Sequence, residues 1–325
     1  MKRGVLDLLR RGFDNTLANW PIILIRLGET MLFGAIVVAS VIAVVVPLLV
    51  SIGISFEQIR TIEDIEGLLD VFVRNGLLVV LYIFGLVTVV TLVMTLVHAF
   101  VTAGCARVYL DGDRVAGGEM PGPRRRYGVF SMERWMAGST SGWWTIFWIY
   151  NFAWGAAGIV LLIPLVPTLA AMLLLHDARA EVSVGIGCLG ILATLFLAIL
   201  TGIVVTLWST RAIAAWAHRR HGARDALAIG WRAMNSDFGR HLLIGVAVVV
   251  VGMAGSSFFA SFSLFGTFAG IAARDQPLFA LVGMPVRVVG WLLSSAFSAA
   301  VGGWFLASNC AVENEAGGYS SETSS

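Results

Sequence analysis

The stretch DALAIGWRAMNSDFGR, residues 225–240, predicts an amphipathic helix that leads directly into a long apolar run. Its large apolar side chains recur at the spacing of one stripe on a helix with about 3.6 residues per turn: Leu227, Trp231, Met234 and Phe238. We assign the opposite side of this helix to smaller or charged residues: Arg224, Ala228, Arg232 and Asn235. Such a helix is expected to lie on a membrane surface rather than to cross the bilayer.

The first twenty residues repeat this design. An offset of 218 positions aligns five pairs of similar residues: Asp7, Leu9, Gly12, Phe13 and Trp20 with Asp225, Leu227, Gly230, Trp231 and Phe238. The apolar stripe of the N-terminal helix is expected to contain Leu6, Leu9, Phe13, Leu17 and Trp20, and its polar side Arg3, Asp7, Arg10 and Asp14. This echo, a similarity between two segments of the same chain, bears on the architecture of the protein and not on its activity.

The composition excludes a soluble globular protein. Hydrophobic residues make up 58% of the chain and charged residues only 13%, and the mean hydropathy is +0.85. The sequence therefore predicts an integral membrane protein. The three cysteines, Cys105, Cys188 and Cys310, are far apart and lie in or beside apolar runs, so they predict neither a disulfide framework nor a metal site. No cofactor is expected.

Six apolar runs are long enough to cross a bilayer core of about 30 Å. They are expected at residues 21–50, 76–104, 143–175, 184–215, 242–272 and 286–312. The predicted fold class is an all-α, polytopic membrane protein with six transmembrane helices and one membrane domain, residues 1–312. The polar residues 313–325 are predicted to form a disordered C-terminal tail.

Two segments between the spans also have a predicted structure. Residues 107–134 are polar and contain clustered Gly and Pro, which predicts a loop, with a less regular surface helix at 127–136. Residues 55–74 predict an amphipathic helix with an acidic face. Asp111, Asp113 and Glu119 resemble part of a calcium loop, but Gly122 stands where a bidentate Glu is required, so calcium binding is not expected.

The distribution of basic residues predicts the orientation in the cell membrane. With both termini in the cytoplasm, sixteen of the 22 Lys and Arg residues fall on the cytoplasmic side and five on the outer side, and Arg26 lies within a span. Cytoplasmic loops of membrane proteins carry an excess of Lys and Arg. The basic amphipathic helices are therefore expected on the cytoplasmic surface.

A surface helix followed by two spans occurs three times, which predicts a threefold repeat of residues 1–110, 111–216 and 217–312. The second span of each repeat ends in small residues. An arginine follows in the first two repeats, at Arg107 and Arg211, and Asn309 takes that place in the third. Shared membrane composition alone is the other explanation for this similarity.

These features carry a resemblance to a known family. The basic helices that lead into paired spans, the span end at residues 103–107 and the sequence DALAIGWR at 225–232 resemble the six-span membrane domain fused to some glycerophosphodiester phosphodiesterases and found in uncharacterised prokaryotic membrane proteins. The catalytic domain of those fusions, with its acidic and histidine ligands, has no counterpart in this sequence. The resemblance therefore implies a helical membrane module over nearly the whole chain, and no activity.

Polar residues inside the lipid are the candidates for chemistry, because each is costly there. Arg26 and Glu29 are three residues apart on one helix, so one interpretation is an internal pair that neutralises itself. The other interpretation is a cytoplasm-facing pocket in which Glu29 faces His98. In that case the candidate pocket residues are Arg26, Glu29, His98, Arg107, Arg211 and Asn309, with Arg107 and Arg211 at the rim to attract an anionic headgroup or metabolite.

The remaining basic residues predict contact with lipid. Candidates for contact with anionic headgroups are Arg10, Arg11, Arg124, Arg125, Arg126, Arg219, Arg220 and Arg232. No catalytic motif is present, and nucleic acid is not expected as a partner. The outer halves of the spans lack charged residues, which argues against a continuous ion path.

The leading functional hypothesis is a non-enzymatic membrane scaffold or accessory subunit that binds anionic lipid and packs against other subunits of a larger membrane complex. The alternative is a transporter or lipid-handling protein that uses the polar pocket.

Overall fold

The computed structural model describes residues 3–52, 76–117, 124–175, 180–272 and 278–317. Its α-helices are α1 (Val5–Ala18), α2 (Pro21–Ile52), α3 (Gly76–Ala116), α4 (Met132–Leu175), α5 (Ala180–Arg219), α6 (Ala223–Ser236), α7 (Phe238–Ala272) and α8 (Leu278–Gly317). A 3-10 turn, Arg124–Tyr127, precedes α4. The predicted acidic helix at 55–74 lies outside the described residues.

Six of these helices are long and apolar enough to cross a membrane: Pro21–Ala43, Leu81–Ala116, Met132–Leu174, Glu181–Arg219, Phe238–Phe268 and Gly283–Ala316. The predicted all-α, polytopic fold with six membrane-spanning helices is confirmed, and the protein is an all-α, multi-pass membrane protein. Only 6–17% of the residues in the most apolar windows are buried, so the spans present most of their surface outward. Side chains exposed on a span in this way face lipid or another membrane protein.

The chain divides into two compact units. The larger unit contains Met1–Ile25 and Ala99–Ser325, and the smaller unit contains Arg26–His98. In the larger unit, α4 pairs with α5 and α7 pairs with α8 as hairpins. In the smaller unit, α2 contacts α3, where the Tyr82 hydroxyl donates to the carbonyl oxygen of Ala43 at 3.1 Å.

The second span continues well beyond its predicted end at residue 104. Helix α3 ends at Ala116, so the expected loop from residue 107 is helical over its first ten positions. Arg107 and Asp111 form an (i, i+4) ion pair of 3.2 Å, and Tyr109 and Leu110 are fully buried. The polar residues indicated a loop, but their spacing lets them stabilise a helix whose other side is packed in the protein.

The predicted surface helix at residues 127–136 is wrong. Tyr127 ends the 3-10 turn, residues 128–131 are not helical, and α4 begins at Met132 and runs without interruption into the third span. The leading segment of the middle repeat is therefore the first part of α4 rather than a separate helix.

The predicted boundary of the tail at residue 312 is also wrong. Helix α8 continues to Gly317, and Glu313 and Asn314 are 3% and 1% exposed. Both residues are polar, which favoured a tail, but each has a partner inside the protein. Residues beyond 317 lie outside the described part of the chain.

One side of helix α1 packs against the protein, and another side is exposed. Its buried positions are Leu8, Leu9, Arg11, Gly12, Asn15 and Thr16. On the predicted apolar stripe, Leu6, Phe13 and Trp20 are 81%, 45% and 57% exposed. These three members of the stripe therefore reach the outside, as expected for a helix that rests in a lipid surface, whereas Leu9 is packed inside the protein.

Each predicted repeat begins with a segment that packs on the second span of another predicted repeat. These segments are α1, the first turns of α4, and α6. In two of the contacts a tryptophan indole N–H on the span binds a leucine carbonyl oxygen: Trp304 donates to Leu9 at 2.7 Å, and Trp208 donates to Leu227 at 2.8 Å. The same indole rings lie edge-on, at 5.9 and 5.3 Å, against Phe13 and Trp231.

A glycine permits the close approach in both of these contacts. A Cβ atom added at Gly12 would lie 2.7 Å from the backbone nitrogen of Ser308 and 2.9 Å from its Cα. A Cβ atom at Gly230 would meet the same two atoms of Ala212 at the same distances. The paired residues on α1 and α6 differ by 218 positions, so the echo in the sequence corresponds to one repeated packing arrangement.

The middle contact is a variant of the same arrangement. Gly138 faces α3, where an added Cβ would lie 3.2 Å from the Cα of Gly104. The aromatic rings of Trp135 and Phe100 meet edge-on at 5.7 Å. The order of contacts is cyclic, since α4 packs on α3, α6 on α5, and α1 on α8. The threefold repeat stays a prediction, and these three contacts support it.

Candidate functional site

Three of the predicted pocket residues meet in the smaller unit. Glu29 Oε1 lies 2.6 Å from His98 Nδ1, and Arg26 Nη1 donates to Glu29 Oε2 at 3.2 Å. Arg26 Nη1 also lies 3.4 Å from His98 Nδ1. Arg26 and Glu29 come together because they are three residues apart on α2, whereas His98 comes from α3.

The exposure of these three side chains differs in a way that bears on chemistry. Glu29 is 5% exposed and Arg26 14%, whereas the His98 side chain is 38% exposed. The carboxylate is therefore enclosed between the Arg26 guanidinium and an imidazole that reaches the outside. This arrangement can bind a small polar group at His98, and it contains both the internal pair and the Glu29–His98 contact that the sequence suggested.

Arg211 and Asn309 lie together in the larger unit, but not at the rim of a pocket. Arg211 Nη1 donates to the carbonyl oxygen of Asn309 at 2.9 Å, and Nη2 donates to Glu313 Oε2 at 2.8 Å. The Arg211 side chain is 1% exposed, so it cannot attract a ligand from solution. The prediction that Arg211 lies at an open rim is wrong, because Glu313 was assigned to the tail and is in fact its buried partner.

Arg107 is half-buried and already paired. It forms the ion pair with Asp111, and its Nη1 donates to the carbonyl oxygen of Ala217 at 3.4 Å. This hydrogen bond joins the end of α3 to the end of α5. Arg107 therefore links two spans of the larger unit.

Arg11 forms a second buried ion pair, which contradicts its predicted contact with lipid headgroups. Arg11 Nε donates to Asp113 Oδ1 at 2.8 Å, and both side chains are 1% exposed. Arg11 Nη2 also donates to the carbonyl oxygen of Gly117 at 2.9 Å, and Asn314 Nδ2 donates to Asp113 Oδ2 at 2.9 Å. Arg11 follows Leu8 by three residues, so it lies on the buried side of α1 rather than on its polar side.

Tyr127 closes the other side of this ion pair. The Arg11 guanidinium lies 5.5 Å from the centre of the Tyr127 ring, a cation–π distance, and Tyr127 is 1% exposed. Burial raises the pKa of the Tyr127 hydroxyl, although the charge of Arg11 opposes that change. The phenol is therefore neutral at physiological pH.

Asn15 and Asn19 are structural residues that the sequence reasoning missed. Asn15 Nδ2 donates to the carbonyl oxygen of Tyr109 at 2.7 Å. Asn19 Oδ1 accepts from the backbone N–H groups of Val129 and Phe130 at 3.0 and 2.9 Å. Asn19 directly follows the last residue of α1, and its spacing of four residues from Asn15 places both amides on the same side. That spacing is the feature of the sequence from which their shared role could have been predicted.

A third ion pair fixes the beginning of α1. Arg240 and Glu315 form this pair between α7 and α8, with side chains 12% and 14% exposed. The same two residues bind the backbone of Arg3, whose N–H donates to Glu315 Oε1 at 2.7 Å and whose carbonyl accepts from Arg240 Nη2 at 2.9 Å. We call the part of the larger unit that contains the three ion pairs Arg11–Asp113, Arg211–Glu313 and Arg240–Glu315 its polar end, and each of these charges is paired inside the protein.

Seven of the eight predicted lipid-contact residues are exposed, and we call them the basic rim: Arg10, Arg124, Arg125, Arg126, Arg219, Arg220 and Arg232. Three of them also have partners in the protein, and one of these is Arg232, whose Nε donates to the carbonyl oxygen of Ala228 at 3.3 Å. Arg124 pairs with Asp14 at 3.1 Å, and Arg220 Nη1 donates to Ser141 Oγ at 2.6 Å. The rim therefore presents guanidinium groups to the outside around the polar end of the larger unit.

A metal site is not formed by the residues that the structure describes. Among them, no three His, Cys, Asp or Glu side chains lie close enough to hold a metal ion. Asp111 and Asp113, from the segment that resembles a calcium loop, both bind arginines. The candidate sites are therefore the Arg26–Glu29–His98 cluster and the basic rim.

Comparison of the chain with protein-family models, with curated proteins and with solved structures finds no significant match. The resemblance to the six-span membrane domain stays a prediction from the sequence. Function must therefore be inferred from the geometry of the two candidate sites.

Proposed function

We propose that the protein is a non-enzymatic membrane scaffold or accessory subunit, in which a rigid polar end holds the basic rim against anionic lipid headgroups. One observation carries this proposal: the fully buried guanidinium groups of Arg11 and Arg211 are each paired with a carboxylate of the same unit. These pairs hold the helices that carry them in fixed positions. Because each guanidinium is neutralised by its carboxylate, neither charge is available to a ligand. The rim arginines provide the outward charge.

The proposal also includes an orientation and a partner. Most Lys and Arg residues lie beside the same ends of the spans as the basic rim. This excess supports a location in the cell membrane with these ends and both termini on the cytoplasmic side. The large apolar surface of the spans supports packing against other subunits of a membrane complex as well as against lipid.

The lipid part of the proposal can be tested in nanodiscs that contain equal amounts of phosphatidylglycerol and phosphatidylcholine. We expect the protein to enrich phosphatidylglycerol around itself, and the variant R125A/R126A/R232A to lose much of this enrichment. Each Arg near an anionic surface contributes about 1 kcal/mol. Native mass spectrometry of the released protein and its lipids measures the enrichment.

The corresponding triple Lys variant is the control, because it keeps the charge and should keep the enrichment. Raising the salt concentration should weaken the enrichment of the wild-type protein, since exposed charges are screened. The proposal fails if the wild-type protein neither enriches phosphatidylglycerol nor copurifies with another membrane protein after gentle extraction.

The Glu29–His98 contact favours a second candidate function, a transporter or lipid-handling protein. If the protein has this function, E29Q should abolish transport, because a neutral amide cannot balance the charge of Arg26 and replaces the carboxylate that contacts His98. Two probes are suitable: proton flux into proteoliposomes reported by a pH-sensitive dye, and transbilayer movement of a fluorescent phosphatidylglycerol.

T30V is a matched control for this experiment. Thr30 donates to the carbonyl oxygen of Arg26 at 3.1 Å but does not bind the charged groups of the cluster in the described contacts. It should leave transport intact. If wild-type protein moves neither probe and E29Q changes only the unfolding free energy, the cluster is structural and the second candidate is rejected.

A further inference from the structure

A cavity of about 490 Å³ lies where helix α6 meets the spans α4 and α5. Its lining residues are Phe152, Trp208, Arg224, Leu227, Ala228 and Trp231. The walls are apolar apart from one guanidinium group. The cavity is open to the outside and combines apolar walls with a single positive charge.

Arg224 lies on the side of α6 that faces this cavity. The prediction that Arg224 and Ala228 lie on the side opposite Trp231 is wrong, since all three residues line this cavity. Arg224 precedes Trp231 by seven residues, which is close to two helical turns, so the two side chains share a face. Arg224 is exposed, and no hydrogen bond or ion pair of its guanidinium occurs among the described residues.

The aromatic wall of the cavity is fixed by contacts inside the protein. The Trp208 indole N–H is bound to the Leu227 carbonyl oxygen, and its ring meets Trp231 edge-on at 5.3 Å. Gly230 holds α6 against the backbone of Ala212 on α5. The cavity is thus preformed, and a ligand would not have to order it.

The matching contact between α1 and α8 has no arginine at the corresponding position, and the guanidinium near it, that of Arg124 at 6.0 Å from the Phe13 ring, is paired with Asp14. Position 6 corresponds to Arg224 through the offset of 218, and it is occupied by Leu6, which is 81% exposed. The other parts of the arrangement, the indole hydrogen bond and the close glycine, are present in both places. The arginine is therefore not needed to build the contact.

We propose that this cavity binds one membrane phospholipid, with its phosphate on Arg224 and an acyl chain against Phe152 and Trp231. Guanidinium groups bind phosphate with paired hydrogen bonds. Tryptophan rings favour the boundary between headgroups and hydrocarbon, where these two parts of a phospholipid meet. The inference rests on the proposed contact with lipid, and it adds a specific site and a residue outside the basic rim.

Three variants test the site in the full-length protein. R224L introduces the residue found at the matching position and removes the charge. R224K keeps the charge but not the paired hydrogen bonds. R134L removes an exposed arginine of the same unit that belongs neither to the cavity nor to the basic rim.

Native mass spectrometry after extraction from nanodiscs measures the fraction of protein that retains one phospholipid. We expect R224L to bind it about fivefold more weakly than wild type, the change that corresponds to ~1 kcal/mol for one Arg at an anionic surface. R224K should lie between R224L and wild type, and R134L should equal wild type. Thermal unfolding should show the same stability for R224L, R224K and wild type. It also measures the effect of R134L, which removes a hydrogen bond to the carbonyl oxygen of Val129.

Retention of the phospholipid is compared between nanodiscs of phosphatidylglycerol alone and of phosphatidylcholine alone, which shows whether the phosphate is sufficient for binding. Addition of glycerol phosphate then shows whether a free phosphate competes with the lipid. Equal losses in R224L and R134L, retention of lipid in R224L, or displacement by glycerol phosphate alone would each overturn the inference. So would a copurified peptide in the cavity instead of lipid. The enrichment of total phosphatidylglycerol is measured separately, so the basic rim can succeed while this site fails.

Discussion

Replacing Asp113 by Ala should destabilise the protein by about 3–5 kcal/mol, because the substitution leaves the charge of Arg11 buried without its carboxylate. Both side chains are 1% exposed, and Asp113 also accepts a hydrogen bond from Asn314. The unfolding free energy can be measured in detergent micelles from tryptophan fluorescence as denaturant is added. The loss is expected in the larger unit, where this pair joins α1 to the end of α3.

The control for this prediction is an exposed ion pair of the same helix. Asp14 binds Arg124 at 3.1 Å with side chains 16% and 54% exposed, so D14A should cost at most about 1 kcal/mol. The double variant R11M/D113L should recover most of the stability lost in D113A, since removal of both charges leaves neither uncompensated. Equal effects of D113A and D14A would show that the buried pair does not hold the unit together.

The substitutions G12A and G230A should each destabilise the protein by about 1–3 kcal/mol, the usual cost of overpacking. A Cβ atom at either position would lie 2.7 Å from a backbone nitrogen of the neighbouring span, which a change of side-chain rotamer cannot relieve. Because the two contacts have the same geometry, we expect similar losses. Unfolding in detergent micelles measures both.

Gly239 on α7 provides the control. A Cβ atom there would have no neighbour within 4 Å, so G239A should be neutral or should stabilise the helix by up to about 1 kcal/mol. If G12A and G230A behave like G239A, the close approach of the leading segments to the spans is not required for folding.

The class of fold could be predicted from the sequence because each span is recognisable from its own residues. A run of apolar residues long enough to cross the bilayer identifies a transmembrane helix without reference to the rest of the chain. The Arg26–Glu29 pair was predictable for the same reason, since both residues lie on one helix. The contact between Glu29 and His98 was one of the two interpretations of the sequence. It was suggested because an unpaired polar side chain is unfavourable inside the lipid.

The buried ion pairs of the larger unit could not be predicted in this way. Arg11 and Asp113 are 102 positions apart, as are Arg211 and Glu313, and local spacing does not report on partners at that distance. The charged ends of α3 and α8 were therefore assigned to a loop and a tail. Arg224 is a different case, because helical periodicity alone places it on the face of Trp231.

The cyclic order of contacts has a consequence for biosynthesis. Leu9 and its hydrogen-bond donor Trp304 are separated by 295 positions, so a ribosome that adds ~5–20 residues per second makes the donor roughly 15–60 s after the acceptor. Throughout that interval Gly12 cannot make its close contact with Ser308. Packing of α1 on α8 therefore follows the synthesis of all the spans between them.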